Sequence, residues 1–126
     1  MATNAQWTVI FDDKLIQKNY AENKWHIIDD ASFWANPAYS NFWAVQYGTS
    51  VATDEVEYRD ETPHSTWADT GENFQLFIDK WDEAHLAFLQ QEWDEAPGNA
   101  STGVLYESEA DKIADRGPRP TSYSSS

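Results

Sequence analysis

Cysteine is absent from this chain, which excludes disulfides and thiolate metal sites. Glycine is scarce. Its five copies show none of the spacing with which a loop cradles phosphate. Bases are few as well: eight Lys and Arg stand against 22 Asp and Glu, for a net charge of −14. Binding to nucleic-acid backbones or to anionic membranes needs clustered Lys and Arg, and no three bases here are adjacent. No run approaches the ~18 apolar residues of a membrane span. The opening "MATNAQWTVIF" lacks the basic and apolar regions of a secretory signal.

Rings are what the chain has in excess. Seven Trp, six Tyr and six Phe occur in 126 residues. Each buries about 150–250 Å² when enclosed. A single domain of this length has one core, so some rings are expected at the surface. The acidity is that of a solvated surface, with a basic partner as its functional alternative.

Hydrophobic periodicity divides the chain. In "QWTVIFDDKLIQKNY", Trp7, Val9 and Phe11 alternate with Thr8 and Ile10, then Leu15 and Ile16 resume after Asp12-Asp13. That is a β-hairpin, and the missing glycine argues for a longer or bulged turn. Trp25–Ile28 reads as a short strand. Asp29 or Asp30 caps one helical turn through Phe33 and Trp34, which Asn36-Pro37 stops. "FWAVQYG" and "DEVEYRDE" read as two more strands, joined through the turn-rich "GTSVATD". Asp69 or Thr70 then caps one long helix, with Glu72 completing a capping box. Phe74, Phe77, Ile78, Trp81, His85 and Leu89 give it an apolar stripe of about six turns, ending before Pro97-Gly98.

Beyond Pro97 the character changes. Residues 1–96 carry 18 acids and 5 bases, whereas residues 97–126 carry 4 and 3 and are rich in Ser, Gly and Pro. The expected organisation is one domain over 1–96 followed by an extended polar tail over 97–126.

No catalytic, cofactor or metal constellation emerges. His85 sits in the helix stripe without a second His four residues away. "TDEVEYRDETPH" gathers acids and His64 but lacks the central Gly of a calcium loop. Alternation places Glu55, Glu57 and Arg59 opposite Val56 and Tyr58, dividing the cluster between two faces. Its carboxylates read as edge protection. His64, Ser65 and Asp69 are too close in sequence to be read as a triad. Three rings of "FWANPAYSNFWAVQY", namely Trp34, Tyr39 and Trp43, are candidate contacts for a protein or a polysaccharide. Trp93, off the helix stripe, has three candidate tasks: covering the core edge, catching the tail, or docking a partner. Tyr123 is the corresponding candidate within the tail.

"QWTVIFDDKLIQKNY", "VEYRDETPHS" and "FQLFIDKWDEAHL" together resemble small acidic proteins of unassigned function encoded by tailed phages of marine cyanobacteria. The resemblance implies a virion-associated or accessory protein, located in the virion or the host cytoplasm, and carries over no site residues.

The expectation is therefore an α+β fold: a small antiparallel sheet of about four strands in hairpins, one long C-terminal amphipathic helix, and the tail. The expected function is non-enzymatic, with no cofactor. It is that of a structural component which binds other proteins or its own copies through aromatic surface and tail. A carbohydrate-binding module and an acidic inhibitor of a basic host protein are the alternatives.

Overall fold

A computed structural model describes residues 6–48 and 54–125. The fold is α+β, with a five-stranded antiparallel sheet and a long helix. The strands are β1 (Trp7–Ile10), β2 (Leu15–Lys18), β3 (Lys24–Ile27), β4 (Phe42–Tyr47) and β5 (Glu55–Tyr58), in spatial order β3-β2-β1-β4-β5. The helices are α1 (Ala31–Trp34), α2 (Trp67–Thr70), α3 (Gln75–Glu95) and α4 (Glu109–Arg116). Compactness divides the chain into Met1–Trp81 and Asp82–Ser126. No helix among the described residues is long and apolar enough to cross a membrane.

In the first unit, alternation decides the core. Trp7 and Val9 of β1, Ile16 of β2 and Val45 of β4 are buried on one face of the sheet. Val9 lies opposite both Ile16 and Val45, so three strands contribute to one apolar row. The start of α3 adds Phe77 and Trp81, both fully buried. Phe77 is the hub. Its ring centroid lies 5.1–6.2 Å from those of Phe11, Phe33, Trp34, Tyr39, Trp67 and Phe74. Most of these pairs meet edge to face or tilted, as the ring quadrupole favours.

Each local departure from expectation has a cause. The β1–β2 turn does without glycine because Lys14 takes the left-handed conformation, at φ 53°, and donates its N–H to the Phe11 carbonyl at 3.2 Å. β2 continues to Lys18, which alternation turns inward. The buried ammonium pairs with Glu22 at 2.8 Å and lies over the Tyr20 and Trp81 rings. Asp30 caps α1 as expected, accepting from the Phe33 N–H at 3.2 Å. Pro37 opens a 3-10 turn capped by Asn36.

The expected cap of the long helix gives way. Asp69 lies inside α2, which Gly71 ends in the left-handed conformation at φ 73°. α3 starts at Gln75, whose N–H is taken by the Asn73 side chain at 2.9 Å. Gly71 is the reason: it ends α2 between Asp69 and Glu72, the two residues of the expected capping box. The "GTSVATD" connection lies largely outside the described residues, as does the start of "MATNAQWTVIF".

In the second unit, the polar segment after Pro97 is built rather than simply extended. An antiparallel bridge joins Gly98 and Leu105. Gly98 is buried there, with no room for a Cβ: one would lie 2.7 Å from the Val104 carbonyl oxygen. Ser108 caps α4 by accepting from the Asp111 N–H. Residues 117–125 then return along α3. Arg119 grips Asp94 with two bonds of 2.8 and 3.0 Å, which holds the Asp94 carboxyl below its ordinary range. Gln90 donates to the Pro120 carbonyl at 3.0 Å, and Asp82 accepts from the Ser125 N–H at 2.8 Å. The compositional boundary at 97 thus marks the end of α3, and the compact unit starts earlier because the returning segment uses the helix from Asp82 onward.

Candidate functional site

The second face of the sheet lies opposite the apolar row of Val9, Ile16 and Val45. Alternation and register assemble it from all five strands. One row runs Ile27, Leu15, Ile10, Ala44 and Glu57, and the next runs Trp25, Gln17, Thr8, Gln46 and Glu55. The second row is stitched by Thr8, which donates to Gln46 and accepts from Asn19, both at 2.9 Å. The apolar row ends at the β3 edge, where Trp25 is 54% and Ile27 51% exposed. Trp43, at the bulge of β4, is 45% exposed. It opens onto a depression of about 490 Å³ shared with Asp12, Tyr58 and Arg59.

The two edges of the sheet differ. β5 carries Glu55 and Glu57, and part of it is covered because Val56 pairs with Ser65 through bonds of 2.7 and 3.2 Å. β3 has neither device. Lys24–Ile28 contains no acid, in a chain with 22. Ile28 donates to the Lys14 carbonyl at 2.9 Å. The alternation of an antiparallel ladder then turns the backbone N–H and C=O of Trp25 and Ile27 away from β2. The Trp81 indole donates to the Lys24 carbonyl at 3.0 Å and the Trp34 indole to the Ile28 carbonyl at 2.9 Å. These two bonds mark the ends of the open stretch.

The rings singled out from the sequence fall into different settings. Tyr39 is buried among Phe11, Phe33, Phe42 and Phe77 and is not a surface ring. Burial also raises its phenol above the ordinary range, with the Glu72 charge adding to the shift. Trp34 is half-buried, edge-on to Phe11 and Phe33. Of these three candidate contacts, Trp43 alone is exposed. Trp93 serves the tail. It donates to the Gly117 carbonyl at 3.1 Å and carries the Lys112 ammonium 4.2 Å above its ring. Tyr123 meets the ring of buried His85 edge-on at 4.7 Å. The two edge residues that matter most, Trp25 and Ile27, were legible as a strand but not as exposed. Which strand is an edge is a property of the whole sheet.

No family model, curated protein or solved structure matches this chain.

One group among the described residues has the composition and convergence of a metal site: Glu55, Glu57 and His64, with one ligand atom from each lying within 4.8 Å of the others. Strand alternation does split the acids of "TDEVEYRDETPH", yet it leaves Glu55 and Glu57 together on one face. Pairing of Ser65 with Val56 brings His64 beside them.

Proposed function

We propose that this chain is a non-enzymatic assembly component that joins a second copy of itself through β3. The observation that carries this reading is the uncovered edge: Trp25 and Ile27 present apolar side chains and open backbone groups, and no acid lies within Lys24–Ile28 itself. Antiparallel pairing about a twofold axis through His26 sets Trp25 of one copy opposite Ile27 of the other, twice over. Such aromatic–β-branched pairs contribute roughly 0.2–1 kcal/mol each, and the four added backbone bonds extend the sheet across the interface. The returning segment 117–125 is engaged with α3, so the docking surface is assigned to the sheet rather than to the tail. The resemblance to phage proteins makes a virion the first assembly in which to look for the chain.

Light scattering coupled to gel filtration tests the reading. The expected result is a dimer whose population rises with concentration, and with added salt, because two copies of charge −14 repel one another. Trp25→Lys or Ile27→Lys returns the protein to a monomer of unchanged circular dichroism. A wild-type protein that remains monomeric at about 1 mM in high salt overturns it.

A further inference from the structure

We propose that Glu55, Glu57 and His64 form a binding site for a divalent transition ion of the zinc class, independent of the β3 edge. Glu55 and Glu57 stand two residues apart on one strand, so their carboxylates leave the same face. His64 arrives from a separate segment and is held in place by backbone. Ser65 exchanges both bonds with Val56, and the Ser65 hydroxyl lies 2.6 Å from the Tyr58 hydroxyl. The ligand-bearing atoms are therefore fixed by a strand and its pairing.

Distances and donor chemistry agree. The Glu55 Oε2 to His64 Nδ1 separation is 3.4 Å. Two ligands each ~2.1 Å from a tetrahedral zinc ion stand about 3.4 Å apart. The full set, within 4.8 Å, needs only a side-chain adjustment at Glu57 to share one ion. An imidazole with two carboxylates is a borderline set. It favours zinc over calcium or magnesium, which take six or more oxygens.

The charge around the site points the same way. Arg59, the base nearest in sequence, is paired with Asp12. Among the described residues, Glu57 has no ion-pair partner. Two carboxylates on neighbouring strand positions therefore go without a permanent counter-charge, in a protein whose net charge of −14 concentrates cations at its surface. A bound dication neutralises both carboxylates and clamps the Ser65 segment to β5.

Calorimetry with zinc chloride in a non-chelating buffer tests the site on the full chain. The expected result is one equivalent bound, resisting a hundredfold excess of magnesium. Binding should be weakened about tenfold or more by His64→Ala and, separately, by the isosteric Glu57→Gln. Nitrogen-15 spectra of the imidazoles give a second readout: the His64 ring nitrogens shift on zinc addition, while those of His26 and His85 hold still. Absence of binding overturns the proposal. So does binding of several equivalents that His64→Ala leaves unchanged, or a shift confined to His26 or His85. The oligomeric state of the Trp25→Lys protein is a separate measurement, so each reading fails on its own.

Discussion

Replacing Phe77 by alanine is the sharpest probe of how this fold is held together. Phe77 is 0% exposed and touches six aromatic rings, contributed by the β1–β2 turn (Phe11), α1 (Phe33 and Trp34), the 3-10 turn (Tyr39), α2 (Trp67) and the residue just before α3 (Phe74). Loss of its ring removes a transfer term of about 1.5–3 kcal/mol. The cavity cannot close easily, because its walls are rigid rings anchored to several elements. Phe→Ala substitutions in such settings cost roughly 3–5 kcal/mol in total. Domains of 60–250 residues lose about 2–8 °C per kcal/mol, and an intermediate slope near 4 °C lowers the melting temperature by about 12–20 °C. Urea unfolding followed by far-ultraviolet circular dichroism measures the loss directly. Trp25→Ala, which removes a larger but half-exposed ring, is the control and costs under about 1 kcal/mol. A Phe77→Ala loss below about 1 kcal/mol, or one no larger than that of Trp25→Ala, refutes the placement of Phe77 at the centre of the ring cluster.

Two further outcomes are expected. The Asp30 carboxyl is lowered to about 2, first by the Lys80 hydrogen bond of 2.6 Å, then by Ser32 and the Phe33 N–H. A lowered acid stabilises the fold above its unfolded value of 3.8 and ceases to do so as pH falls through about 2. Carboxyl-carbon NMR should therefore show Asp30 titrating near 2, and Asp30→Asn should flatten the loss of stability between pH 4 and 2. Lys14→Gly relieves the left-handed backbone at φ 53° and should raise stability by roughly 0.5–1 kcal/mol in urea unfolding, because glycine occupies that region without a Cβ clash. An unchanged or lower midpoint contradicts the assigned turn.

Local chemistry was readable in the chain itself. Alternation at Trp7–Phe11, the Asp30 cap, the stop at Pro37 and the stripe from Phe77 to Leu89 each depend on residues within a turn or two of one another, so periodicity and capping rules reach them. The α3 start was misplaced for an equally local reason: Asp69 and Glu72 have capping-box spacing, but Gly71 ends α2 between them.

What only the tertiary structure decided are relations between distant residues. Nothing in "KWHII" says that β3 lies at the rim of the sheet, because strand order depends on which partners the other strands find. Tyr39 and Trp43 are equally aromatic, yet Tyr39, in the 3-10 turn, is buried against the Phe77 cluster, whereas Trp43, at the bulge of β4, is exposed. The polar composition after Pro97 is that of a segment whose helix, α4, has no buried residue. It did not signal that Arg119, Pro120 and Ser125 would find Asp94, Gln90 and Asp82 on the helix. The physical reason is common to all three. Burial and pairing are properties of surfaces brought together across the chain, whereas periodicity is a property of neighbours along it.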